Sequence, residues 1–317
     1  MTAQFYKDFD VYARALMGSN DVDPTYPVIK SIVDKEGFDP YWFAFVYVGF
    51  YNLETAIKMC REIPTHEDWH KNKKLFAERR RDKVWSKFGH ERRGTARNIQ
   101  TQVNNFSAVA VFLETINDEM EYLAAPEVVK NWHIDQASFR AALQTLPFHG
   151  GWASFKIAEI FEKAFGVDQF TIPDLGVVGR DPNSNDGPVG GLRWLYGREN
   201  EYDNGWYNVW DDLGSRLAEA WGVDIGKVET CLCKFSKLVG GKYYIGHDVA
   251  ELVELEHVLD KKVYQSIMID NFDERLWRGL HGVQKEHKNL YAKSGKILNS
   301  EFASLFPEVD VLALILE

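Results

Sequence analysis

Apolar positions return at helical spacing through most of this 317-residue chain. The rhythm predicts amphipathic helices over residues 4–16, 26–35, 41–61, 67–81, 104–123, 134–143, 152–165, 206–221, 227–238 and 248–269, an all-α pattern. Two helix starts are marked by their chemistry. Asp39 precedes a proline at the first helical position, and Thr65 stands as a capping hydroxyl before His66. The run from Tyr41 to Tyr51, YWFAFVYVGFY, is too short to span a bilayer and is expected to be a buried helix. Residues 166–204 break the rhythm, and their length and flanking apolar residues predict an ordered, functional loop. No repeat, low-complexity tract or linker is evident, so residues 1–317 are expected to act as one catalytic unit.

Composition narrows the class. With 45% hydrophobic and 14% aromatic residues, the chain can bury one large core or two lobes, and disorder and fibrous repeats are excluded. Cys60, Cys231 and Cys233 are too few for a disulfide framework or an iron-sulfur cluster, which fits a reducing, cytoplasmic setting. Met1 to Leu16 lacks the pattern of a signal peptide, and no membrane partner is expected.

Charge changes the picture once it is divided by position. Residues 71–97 hold eleven Lys/Arg against Glu78, Asp82 and Glu91, a local charge of +8, which leaves −18 on the rest of a chain whose net charge is −10. A basic block in an acidic protein is the footprint expected where a polyanion lands, because phosphate contacts are local; a solvated helix face would look the same on charge alone.

The segment 146–166, LPFHGGWASFKIAEIFEKAFG, has the form of a helix-hairpin-helix. Glycines in its tight turn would allow left-handed angles and a close approach to phosphate, while the N-terminus of the second helix would present amides and a positive dipole end. His149, Gly150, Gly151 and Trp152 are therefore the expected DNA contacts. Small residues Ala153 and Ser154 follow, and Ala164-Phe165-Gly166 closes the segment.

This segment resembles the helix-hairpin-helix DNA glycosylases, whose pattern is Leu-Pro-Gly-x-Gly, a helix, and then a catalytic aspartate. Asp174, in Ile172-Pro173-Asp174-Leu175, falls in the region of that aspartate, a few residues later than is usual. Phe148 stands where the first hairpin glycine would be. Trp152 lies near the lysine position of bifunctional members, which argues against a lyase, and Lys156 follows one turn later. With GHERRGTAR at 89–97, IPDLG at 172–176, GPVGGLRWLYG at 187–197 and VETCLCKFSKL at 228–238, the chain more closely resembles the phage amino acid:DNA transferases, also called alpha-glutamyl/putrescinyl thymine pyrophosphorylases. These segments cover about half the chain.

The resemblance implies a glycosylase-like fold of two helical lobes around a cleft. Its core would lie roughly at 104–200, with a basic DNA- and pyrophosphate-facing segment at 71–97 and a C-terminal helical part at 205–317. It also implies a reaction in which pyrophosphorylated 5-hydroxymethyluracil in double-stranded DNA loses pyrophosphate to an amine or amino acid. That reaction needs cations for the leaving group, a base or anion, and a pocket for an extruded base. Arg92, Arg93 and Arg97 would hold pyrophosphate, with Arg79 and Arg80 on the DNA backbone. Asp174 and Lys156 are the catalytic candidates. Tyr51, Asn52, Asn183, Trp194, Glu229 and Lys237 are the substrate-pocket candidates, Glu229 and Lys237 by resemblance alone. No cofactor and no metal ligand set is called for, although a divalent or monovalent cation beside the phosphates suits the chemistry. The kinase that pyrophosphorylates hydroxymethyluracil is a candidate partner.

Other readings stay open at this stage. A monofunctional glycosylase would use Asp174 to stabilise charge at the sugar, and a DNA-binding module would lack chemistry altogether. His66-Glu67-Asp68-Trp69-His70 matches H-E-x-x-H, and Glu67/His70 with Glu254/His257 make two E-x-x-H pairs, the elements of zinc and di-iron sites. Exposed polar helix faces explain them as well. Asp211 and Asp212 read as acidic helix surface.

Overall fold

A computed structural model describes residues 1–85, 98–123, 143–166, 187–197, 207–278, 280 and 287–316, with the side chains of 116–123 and 207–211 outside the description. The described residues are mostly helical and contain no strand. In chain order the helices are α1 (Ala3–Gly18), α2 (Thr25–Glu36), α3 (Pro40–Phe50), α4 (Leu53–Glu62), α5 (His66–Arg81), α6 (Ile99–Leu123), α7 (Gly151–Phe165), α8 (Pro188–Leu195), α9 (Tyr207–Trp221), α10 (Ile225–Val239), α11 (His247–Val253), α12 (Lys261–Asn271), α13 (Glu274–Trp277), α14 (Leu290–Ser294) and α15 (Val311–Leu316). Short 3₁₀ helices occupy Glu254–His257 and Ser300–Leu305. None of the described helices is long and apolar enough to cross a membrane.

Both expected caps are present. The Asp39 carboxylate accepts from the Trp42 amide at 2.6 Å, and the Thr65 hydroxyl accepts from the Asp68 amide at 3.2 Å. Three spans differ from the periodicity. Residues 41–61 are two helices, because Tyr51 takes a left-handed conformation (φ 52°) that ends α3 and Asn52 caps α4 through the Thr55 amide at 2.9 Å. Residues 248–269 are likewise broken: α11 ends at Val253, a 3₁₀ turn follows, and α12 begins at Lys261. The predicted loop 166–204 contains α8, which starts with Pro188 at its first position. The predicted helix 134–143, apart from Leu143, lies outside the described residues.

The chain divides into two compact units, Met1–Thr25 with Ile172–Glu254 and Gln265–Glu317, and Tyr26–Thr171 with Leu255–Tyr264. The expected hairpin core at 104–200 is therefore shared between them. In the second unit the core is aromatic. Trp42, Phe50, Trp69, Phe76 and Phe106 are buried, with Trp69–Phe76 rings 5.0 Å apart and Phe50–Phe106 rings 5.5 Å apart, the edge and tilted contacts that aromatic quadrupoles favour. Arg80, only 2% exposed, lies in this core with its guanidinium 4.8 Å from the Phe50 ring centroid and a hydrogen bond to Gln102.

In the first unit, α1, α8 and α10 pack around Phe9, Tyr12, Leu192, Leu232 and Phe235. Gly191 explains how α8 can sit so close to α10: a Cβ there would lie 2.2 Å from the carbonyl oxygen of Leu232. Buried Asp10 pairs with Arg14 at 2.6 Å and accepts from the Trp221 indole at 3.0 Å.

Candidate functional site

The hairpin region of the second unit brings several expected residues together. Leu146 to His149 close a turn through the His149 amide and the Leu146 carbonyl at 3.2 Å. Pro147 takes the second place, and Phe148 the third with φ 67°, the pattern of a type II turn, which normally wants glycine at that place. The left-handed residue is thus Phe148 itself. Gly150 has an ordinary φ of −67° and caps α7, so the glycines do not supply the left-handed angle that the sequence led one to expect from them.

What Gly150 and Gly151 supply is open space, since a Cβ at either would meet nothing within 4 Å. Backbone can therefore be approached closely there. The first intrahelical bond of α7 runs from the Ser154 amide to the Gly150 carbonyl, so the amides of the opening turn lie at the helix's positive end, facing this open backbone. Phe148 and Trp152 flank it, each 45% exposed. The Trp152 ring stands edge-on to Tyr51 at 4.9 Å and 90°, and Tyr51 in turn lies 5.4 Å from Tyr47. Tyr51 is presented by the same left-handed conformation that ends α3.

His149 is a correction. It was expected to touch DNA, but it is 1% exposed, with its ring 5.6 Å from Phe45 and Nδ1 3.1 Å from the Pro147 carbonyl. Asn105 of α6 donates to that same carbonyl at 2.7 Å. His149 and Asn105 therefore anchor the turn from inside, which leaves its outer face for contact.

Lys156 and its surroundings form a second feature on the same helix. The ammonium donates to the Tyr26 hydroxyl at 2.9 Å and to Glu159 Oε2 at 2.5 Å, and the Tyr26 hydroxyl donates to that same carboxylate oxygen. Aromatic rings of Phe155 and Tyr26 lie 5.2 and 5.6 Å from the ammonium. Tyr26 and Glu159 were not singled out in the sequence. The available signal was an acid, Glu159, on the apolar stripe of FKIAEIF, where a charge needs a partner.

The remaining candidates fall elsewhere. Arg80 is a second correction: its guanidinium serves the core, because α5 packs where Gln102 of α6 and Phe50 of α3 become its partners. Arg79 pairs with Glu62 at 2.7 Å while remaining partly exposed, and Glu62 also accepts from the Trp85 indole at 2.9 Å. Among the described residues of this stretch the exposed cations are Lys71, Lys74, Arg81 and Lys83. The Asn52 side chain caps α4, accepting from the Thr55 amide at 2.9 Å. Arg92, Arg93, Arg97, Asp174 and Asn183 lie outside the described residues.

Trp194, Glu229 and Lys237 belong to the first unit. Trp194 packs against its core with Phe5 at 6.5 Å, Lys237 is exposed on α10, and Glu229 is buried, accepting from the Thr230 hydroxyl at 3.1 Å. The lysine that matters structurally in VETCLCKFSKL is Lys234. It is buried, it donates to the carbonyls of Asp21 (2.5 Å) and Val22, and it pairs with Asp248 at 2.7 Å. Burial pulls Lys234 down, but the carboxylates of Asp248, Asp21 and Asp23 outweigh it and hold the ammonium above its ordinary value. Fully buried Asp21 accepts from the Tyr243 hydroxyl at 2.6 Å and from the amides of Gly246 and Val249 at 2.7 and 3.1 Å. Burial pushes its carboxyl up to about 6 against the opposing pull of Lys234.

The metal motifs of the sequence do not gather. His66 is buried, His70 pairs with Glu114 at 2.9 Å, and Glu254–His257 is a 3₁₀ turn with His257 largely exposed. Among the described residues the group able to offer three ligands is His247, Asp248 and Glu251, whose ligand atoms lie within 4.8 Å of one another. Asp248 is already engaged by Lys234.

No protein-family model, curated protein or solved structure matches this chain.

Proposed function

We propose that the protein is a DNA-modifying transferase: it grips one strand of double-stranded DNA at the 146–152 hairpin and replaces the pyrophosphate of a pyrophosphorylated 5-hydroxymethyluracil with an amine or amino acid. The observation that carries this reading is the exposed hairpin face. Open backbone at Gly150 and Gly151 meets the N-terminal end of a 15-residue helix, and the Tyr51–Trp152 pair stands beside it. Phosphate suits the helix end, and the aromatic pair suits a base taken out of its stack.

The supporting residues follow the chemistry. Exposed Lys71, Lys74 and Arg81 on α5, with Lys83 just beyond it, give a cationic surface for the DNA backbone, and Arg92, Arg93 and Arg97 are assigned to the pyrophosphate. Asp174 would stabilise positive charge at the reacting carbon. The resemblances noted at the hairpin, at 187–197 and at 228–238 favour transfer over base excision.

The test is mass spectrometry of nucleosides released from DNA carrying pyrophosphorylated hydroxymethyluracil after incubation with the protein and a panel of amines. An aminomethyl-uracil adduct is expected. Release of the free base without an adduct would replace this reading by a glycosylase.

A further inference from the structure

Trp152, Lys156 and Glu159 stand at i, i+4 and i+7 on α7, a single stripe along the helix. The stripe runs from the exposed rim at Trp152, through a lysine side chain 17% exposed, to a carboxylate that is 2% exposed. At its inner end Lys156, Tyr26 and Glu159 close a triangle of hydrogen bonds. A lysine so paired adds no net charge and makes a poor phosphate anchor, because the carboxylate cancels the field that a phosphate would feel. Its ammonium is instead held by a buried carboxylate and a tyrosine hydroxyl, one helical turn in from the exposed Trp152.

We infer that Glu159, supported by Tyr26, is the proton relay behind Lys156 in amine transfer. This inference rests on the transferase reading above. The incoming amine must shed a proton as it forms its bond. Its nitrogen lone pair makes the C–N bond at the methylene carbon while the C–O bond breaks and that electron pair leaves with pyrophosphate. The proton on nitrogen passes to Lys156 Nζ as Lys156 hands one of its own to the Glu159 carboxylate. Lys156 stays an ammonium, Glu159 becomes a carboxylic acid, and the proton returns to water between turnovers. Lys156 touches the substrate; Glu159 and Tyr26 act through it.

A clamp that merely holds α2 to α7 would also use these three groups, so the test separates chemistry from folding. In the triple variant Tyr26→Phe/Lys156→Met/Glu159→Leu the polar triangle is replaced by apolar groups of similar size, which commonly preserves stability. It is expected to melt cooperatively and bind DNA within about threefold of wild type, with the single-turnover rate of adduct formation lower by about 100-fold or more, the usual scale of general acid–base catalysis. Glu159→Gln is expected to lower that rate without changing the melting midpoint or DNA binding, and Glu159→Asp to recover part of it, a split that a purely structural role would not cause. If wild type forms the adduct and both the triple variant and Glu159→Gln form it within threefold of its rate, the relay is wrong while the transferase stands. If wild type forms no adduct with any amine, the transferase reading fails and the relay with it.

Discussion

Phe148 shows how one residue carries two conflicting demands. The turn needs a left-handed residue at its third place, and a non-glycine side chain there costs about 1–2 kcal/mol. Keeping a half-exposed phenyl ring at that place sets an apolar surface beside the helix end. Phe148→Gly is expected to leave unfolding free energy within about 1 kcal/mol of wild type, since strain relief offsets lost burial and a more flexible unfolded chain. Phe148→Ile, whose β-branch fits a left-handed backbone poorly, is expected to cost about 1–2 kcal/mol in urea denaturation. Asp21 carries a different tension. Its folded value near 6 lies above the ordinary 3.8, so the folded protein holds the proton more tightly than the unfolded chain does. The resulting stabilisation is full below about pH 4 and is lost as pH rises through 6. The stability of wild type relative to Asp21→Asn is therefore expected to fall by about 2 kcal/mol between pH 4 and pH 6.5. Equal curves at the two pH values would contradict this assignment.

Helices were legible wherever apolar spacing was unbroken, as in α1, α5, α7 and α10. Their interruptions were harder to see, because each is set by a single backbone choice inside an apolar run. Tyr51 ends α3 by turning left-handed, a conformation that nothing in YWFAFVYVGFY advertises, whereas Asn52 behind it is an ordinary capping residue. The short helix α8 was hidden by the glycines around it. Those glycines turn out to serve packing: Gly191 lets α8 approach the Leu232 carbonyl of α10. Gly191→Ala is expected to force the two helices apart and cost about 1–3 kcal/mol, readable as a lower thermal midpoint. The same alanine at Gly151, where nothing is near, is expected to leave stability almost unchanged and so serves as the control.

Across the whole molecule, charge position was informative and charge identity was less so. The sequence marks residues 71–97 as basic, yet it could not tell Arg80, which faces the aromatic core, from Arg81, which faces water, because only the helix phase against its neighbours decides that. His149 misled for the opposite reason: next to two glycines it looked like a contact, but packing against Phe45 turned it inward. Partnerships between distant residues, such as Tyr26 with Glu159 and Asp21 with Tyr243, have no local spacing and needed the fold to become visible. The proposed presentation of a base by the hairpin, for substitution at its methylene carbon, is checked by a single-turnover reaction on DNA labelled in its pyrophosphoryl group, with pyrophosphate, amine adduct and free base counted together. One pyrophosphate released for each C–N bond formed, with every glycosidic bond intact, is the expected result; free base, or pyrophosphate released without an adduct, would contradict it.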